Sequence, residues 1–257
     1  PKESHEGGSN EMIRIWGLTD IGLVRKDNQD AYATEHFAES GFTVAVVCDG
    51  MGGVKGGHLA SQIAVETYLA ETKKVLRADM STSQLSQASS YAVAIANDAV
   101  YAKAQEAREY HGMGTTLVSA ICYDGGAVIS NVGDSRAYHI TAEGIRRITK
   151  DHSLVEALVR RGDITEEEAR VHPNRNVITR ALGPEKNEEC DSYVCELKQG
   201  EYLLLCTDGL INTVSDQEIL YEVIHNGDEG SCLERMLAIS KGRGAADNVT
   251  AVLLKVI

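Results

Sequence analysis

The stretch Thr43-Val-Ala-Val-Val-Cys48-Asp49-Gly50-Met51-Gly52-Gly53 joins an apolar run to a carboxylate and a group of glycines. Its first six residues are mostly β-branched or small and end at a turn former, the pattern of a core strand. The same context recurs along the chain. Tyr202-Leu-Leu-Leu-Cys-Thr207 runs into Asp208-Gly209, and Val128-Ile-Ser-Asn-Val-Gly133 runs into Asp134. Asp247-Asn248 stands just before a closing apolar run over 249–256. Four acidic residues thus border apolar strands, where a sheet can gather groups that lie far apart in the chain.

Outward from these runs, further strands are expected at 13–17, 31–36, 115–123, 127–132 and 137–141. Asp124-Gly125 reads as the turn of a hairpin between two of them. Leu59, Ala60, Ile63, Ala64 and Tyr68 recur at helical spacing over 58–70. Ser81-x-x-Gln84 is a capping box that opens a long Ala-rich helix reaching about Arg108. Thr165-x-x-Glu168 and Ser215-x-x-Glu218 are two more boxes, and a last helix is expected over 231–240. Asp151 reads as a helix N-cap, and His172-Pro173 as the stop of a short second helix. Strands cluster instead of alternating with helices, so the expected class is α+β with helices packed outside a sheet core.

Composition removes several function classes. The 257 residues carry 25 Lys and Arg against 38 Asp and Glu, a net charge of −13. Phosphate backbones reward basic surfaces, so nucleic-acid binding is not expected. No apolar run approaches the roughly 18 residues of a membrane helix. Residues 1–11 are polar and read as an N-terminal tail, linker or cloning remnant. Only three prolines occur, with no Pro- or Ser-rich linker, so residues 12–257 are expected to form one domain. Cys48, Cys122 and Cys206 lie in apolar runs and read as buried free thiols. No CxxC is present, and a reduced, cytoplasmic location is expected.

Each acidic residue taken alone is more often a turn or cap residue than a ligand. Together they point to a site. Carboxylates about 5 Å apart repel by roughly 3 kcal/mol at an effective dielectric near 20. Hard divalent cations remove that cost, and all-oxygen ligation suits Mg²⁺ or Mn²⁺. Two such ions can share a water, lower its pKa and hold a phosphoryl group in line for attack. Rival phosphate chemistries lack their motifs: there is no GxxxxGK[ST], no GxGxxG at a strand–helix junction, no Cys with Arg six positions on, no DxDxT and no GxSxG.

Six ordered blocks then carry a resemblance: Thr19-Asp20-Ile21-Gly22-Leu23-Val24-Arg25-Lys26-Asp27-Asn28-Gln29-Asp30-Ala31, Val47-Cys48-Asp49-Gly50-Met51-Gly52-Gly53, Gly114-Thr115-Thr116, Asn131-Val132-Gly133-Asp134-Ser135-Arg136, Cys206-Thr207-Asp208-Gly209-Leu210 and Asp247-Asn248-Val249-Thr250. The chain resembles the bacterial branch of the metal-dependent type 2C Ser/Thr protein phosphatases over residues 13–257. The resemblance implies two packed antiparallel β-sheets flanked by α-helices on both sides. It implies two Mn²⁺ or Mg²⁺ ions, with a third in bacterial members. Asp49 would bridge both metals, the carbonyl of Gly50 would join it on one, and Asp208 and Asp247 would hold the other. Asp30 would act through metal-bound water, Asp134 with Asp208 would form the third-metal site, and Arg25 would bind the substrate phosphate. Asn176 is a candidate carbonyl donor to the third metal, within a flap over about 150–183. Arg136 is expected to form a buried ion pair.

The expected reaction is attack of a metal-bridging water on phosphoserine or phosphothreonine of phosphorylated proteins, the counterpart of a bacterial Ser/Thr kinase. A monomer without nucleic-acid or membrane partners is expected. The proton donor is where the chain departs from the family. Bacterial relatives often carry His after the DGMGG block, where this chain has Val54, and animal relatives carry His where it has Met51. His58 is the nearby candidate general acid, and metal-bound water the alternative. Two other functions compete: a non-catalytic phosphopeptide-binding regulatory module on the same scaffold, and a two-metal hydrolase of nucleotides or small phosphate esters. The full set of acidic residues speaks against the first.

Overall fold

The computed structural model describes residues 13–225 and 228–257, apart from the side chains of residues 54 and 55. The tail expected over 1–11 lies outside the described residues. Strand β3 (Phe42–Met51) explains why the apolar runs lack a polar alternation. Val44, Val46 and Cys48 face one core, while Ala45 and Val47 face a second. A strand sends successive side chains to opposite faces, so burial on both faces demands an unbroken apolar run. The same holds for β10 (Tyr202–Cys206), where Leu203 and Leu205 point one way and Tyr202, Leu204 and Cys206 the other.

Two antiparallel sheets result. The first contains β1 (Ile13–Asp20), β7 (Arg136–Thr141), β8 (Gly144–Arg147), β10 and β11 (Val249–Val256), in the order β1-β11-β10-β7-β8. The second contains β2 (Asp30–Phe37), β3, β5 (Leu117–Tyr123), β6 (Gly126–Val132) and β9 (Asp191–Glu196), in the order β2-β3-β5-β6-β9. A two-residue strand, β4 (Gly114–Thr115), pairs with the end of β3. Apolar side chains from the inner faces, among them Val118, Ile129, Leu203 and Val252, fill the space between the sheets.

Helices cover both outer faces. α1 (Gly53–Val75) and α2 (Thr82–Glu106) pack through Ala60, Ala64, Tyr68, Ala92 and Ala96 onto the second sheet. α5 (Asp208–Ile211), α6 (Asp216–Ile224) and α7 (Cys232–Gly242) pack through Leu210, Ile219 and Met236 onto the first. The layers are therefore helix, sheet, sheet, helix, as the resemblance implied. The boxes at Ser81 and Ser215 form as read, and so does the box at Thr165, which opens α4 (Glu166–Val171).

Asp151 is not the cap it was expected to be. α3 (Leu154–Arg161) is capped by Ser153, whose hydroxyl accepts from the Glu156 N–H. Asp151 instead accepts three bonds from the Arg136 guanidinium at 2.6–3.1 Å. A charge-assisted fork outweighs one neutral capping bond, and a hydroxyl two residues on is free to cap. The ion pair expected of Arg136 is thereby present, partly rather than fully buried.

Candidate active site

Antiparallel pairing brings the end of one strand beside the start of the next. Asp30 at the start of β2 thus lies in register opposite Asp49 near the end of β3. β10 ends next to the start of β11, so Asp208 and Asp247 emerge on one edge. Asp134 follows β6 on the same edge. Asp49, Asp134, Asp208 and Asp247 line one cleft of about 480 Å³ together with Gly50, Asn176 and Arg25.

Hydroxyls hold the carboxylates in place. Asp49 N–H donates to Thr116 Oγ1 at 2.9 Å, and Thr116 and Ser135 hydroxyls share a 2.7 Å bond. This ties β3 to the turn carrying Asp134. Thr207 Oγ1 donates to Asp30 Oδ2 at 2.9 Å and accepts from Thr250 N–H at 3.1 Å. Asp208 Oδ2 accepts from Asn212 Nδ2 at 3.0 Å. Gly50 admits no side chain, since a Cβ would lie 2.0 Å from the Gly57 carbonyl oxygen. Only glycine lets β3 run this close to α1 at the cleft.

The electrostatics are those of crowded acids. Burial, then the Asp30 and Asp208 charges, raise the Asp49 carboxyl well above its ordinary range. Burial, then Asp247, raises Asp208. Burial pushes Asp30 up to about 7, and burial with Asp208 pushes Asp134 up to about 8. Asp49, Asp134 and Asp208 still touch the solvent of the cleft. Dense surrounding protein, not full enclosure, is what desolvates them.

These residues fit hard cations. Asp30 Oδ1 and Asp208 Oδ1 are buried and have no protein partner. Such an orphan acceptor is costly unless a proton or a cation satisfies it. Among the described residues, no three His, Cys, Asp or Glu side chains close around one ion by themselves. A backbone carbonyl and water must complete any shell, as Mg²⁺-type ions accept. Asp247 differs from the others, because Arg25 Nη2 occupies its Oδ2 at 2.7 Å and the Asn248 N–H its Oδ1 at 2.9 Å.

His58 lies on α1, exposed, with Nδ1 bonded to the Asn28 carbonyl at 3.1 Å. It is not among the residues that line the cleft. Asn176 and Ile178 of the flap do line it. The motif blocks contained Thr116, Thr207 and Asn248, yet their supporting roles emerge only from the folded geometry.

Known proteins match this arrangement. The family profile described as Protein phosphatase 2C matches residues 25–253. The chain belongs to the protein phosphatase 2C family. The serine/threonine phosphatase stp of Listeria innocua is 33% identical over 237 residues, 92% of this chain and 93% of that protein. Protein phosphatase PhpP of Streptococcus pneumoniae is 34% identical over 92% of this chain and 95% of its own length. Among solved structures, serine/threonine phosphatase Stp1 from Staphylococcus aureus superposes with a TM-score of 0.88 at 35% identity, covering 99% of both chains. The Mycobacterium tuberculosis serine/threonine phosphatase PstP/Ppp gives 0.84 at 32% identity, over 95% of this chain and 98% of its own. The protein is a serine/threonine phosphatase of the bacterial 2C type, a metal-dependent family, and acts on phosphoproteins. A non-catalytic binding module is not favoured. No helix among the described residues is long and apolar enough to cross a membrane.

Proposed function

We propose that the cleft hydrolyses phosphoserine and phosphothreonine directly, with no covalent enzyme intermediate. The observation that carries the reading is the convergence of five acidic residues from five chain segments beside one exposed arginine. Asp49, the Gly50 carbonyl, Asp208 and Asp247 would hold two Mn²⁺ or Mg²⁺ ions, and Asp134 with Asp208 a third. Bound ions of this kind supply an acidified water as nucleophile and neutralise charge on the transferring phosphoryl group.

The chain's own groups do the rest. Arg25 has one nitrogen on Asp247 and a half-exposed side chain, which leaves donors for two phosphate oxygens. Asp30 would orient water through its unpartnered Oδ1 while Thr207 fixes its Oδ2. His58 is assigned no proton transfer, because its Nδ1 bonds the Asn28 carbonyl and the residue is not among those that line the cleft. Solvent in the cleft would then protonate the leaving alkoxide. The flap over 150–183 lends Asn176 and Ile178 to one wall and would contact the phosphoprotein. We read residues 12–257 as one catalytic domain that opposes a bacterial Ser/Thr kinase. Six free cysteines, five of them buried, support a reducing, cytoplasmic setting.

The test is hydrolysis of p-nitrophenyl phosphate and of a phosphothreonine peptide with Mn²⁺ added. Activity should vanish with EDTA and fall at least about a thousandfold in Asp208→Ala, the scale of losing electrostatic stabilisation at the reacting group. Turnover that survives both changes removes the metal mechanism.

A further inference from the structure

Arg25 sits in the loop between β1 and β2, and that loop has almost no core of its own. Leu23 is 60% exposed and Val24 66%. Its position must therefore come from polar contacts at its base. Three of them lead to one buried side chain. Asn248, 4% exposed, donates from Nδ2 to the Ile21 carbonyl at 2.9 Å and to the Asp27 carbonyl at 3.1 Å. Its Oδ1 accepts the Gln29 N–H at 2.8 Å. One amide thus grips both ends of the arginine loop.

The strand start that carries this amide also carries Asp247, which pairs with Arg25 itself at 2.7 Å. Two further contacts press the loop onto the same segment. Leu23 N–H donates to the Ala245 carbonyl at 2.9 Å. Gly22, at φ +78°, leaves no room for a Cβ, which would lie 2.3 Å from the Asp247 carbonyl oxygen. No other side chain of this size offers two donors and an acceptor at once. Aspartate there would set an oxygen against two carbonyls.

We infer that Asn248 is the positioning residue for Arg25, a clamp that sets the phosphate-binding guanidinium relative to the acidic cleft through the backbone of residues 21–29. The inference rests on the phosphate-binding reading of Arg25. Asn248 lines the cleft beside Asp247, but both ends of its amide are taken by loop backbone, so its effect is transmitted through the loop.

A double-mutant cycle tests it. Asn248→Ala should lower kcat/KM for p-nitrophenyl phosphate about 10- to 100-fold, the usual effect of losing a supporting partner. Mn²⁺ affinity, read by calorimetric titration, should stay within about threefold, because Asp247 keeps its place. In an Arg25→Ala background the same change should cost under about threefold, since the group being positioned is already gone. Losses that multiply in the double variant, or Mn²⁺ affinity that falls in step with activity, overturn the inference. Asn248→Asp gives a second reading, because it keeps the bond from Gln29 N–H while turning an oxygen toward the Ile21 and Asp27 carbonyls. Its amide hydrogen exchange should accelerate at residues 21–29 and stay slow in β11, and acceleration throughout β11 would also overturn the clamp. A wild-type protein without Mn²⁺-dependent turnover defeats the phosphatase mechanism instead, and leaves the exchange result to judge the clamp alone.

Discussion

Removing one acidic charge from the cleft should stabilise the metal-free protein. Asp49 is the residue to change, because it faces Asp30 across the β2–β3 register and has Asp208, Asp134 and Asp247 around it. Directly opposed strand residues hold their Cβ atoms about 5 Å apart. At that distance two carboxylates repel by about 3 kcal/mol at an effective dielectric near 20. Asn is isosteric with Asp and carries no charge. Asp49→Asn should therefore stabilise the protein in EDTA at pH 7.5 by about 2–3 kcal/mol, or about 5–10 °C in Tm for a chain of this size. The sign with pH follows from the raised carboxyls. Asp30 titrates at about 7 in the folded protein, above its ordinary 3.8. A carboxyl raised on folding favours the folded state at low pH and loses that favour as pH rises through the folded value. The gap between wild type and Asp49→Asn should thus be widest above about pH 7 and close toward about pH 4. Mn²⁺ at about 1,000 times its Kd should reverse the ranking, since it adds about 4.1 kcal/mol to the wild type only. Scanning calorimetry with EDTA and with Mn²⁺, at several pH values, reads all of this. A variant that melts below wild type in EDTA at pH 7.5, or that still gains stability from Mn²⁺ as wild type does, refutes the reasoning.

Two structural predictions accompany it. Arg136→Ala leaves Asp151 with only the longer 3.6 Å contact to Arg147, so urea denaturation should show a loss of about 1–3 kcal/mol. The double variant Arg136→Met with Asp151→Leu should recover most of that, and no recovery would mean that the pair is not what the site needs. Thr116→Val keeps the shape but leaves the Asp49 N–H without its acceptor and breaks the bond to Ser135. A loss of about 1–3 kcal/mol is expected, with weaker Mn²⁺ binding in calorimetric titration. Unchanged affinity would show that the hydroxyl does not hold the acidic turn in place.

Local chemistry alone was enough for much of this protein. The runs that became β3, β10 and β11 are mostly apolar because both of their faces are largely buried, and that state needs no partner to be read. The three capping boxes are reciprocal bonds between residues three apart, so they too are local. β8 and β9 were not legible, for they are edge strands with mixed polar faces and no apolar run. The expected strand over 115–123 is interrupted at Thr116, whose N–H still donates to the Asp49 carbonyl while its hydroxyl bonds Asp49 N–H and Ser135. Tertiary structure also decided that Asp151 answers Arg136 and not a helix, that His58 turns toward Asn28, and that Asn248 closes on carbonyls more than two hundred residues away. Residue type states which bonds a side chain is able to make. Only the closed chain, by bringing distant backbone within reach, selects among them.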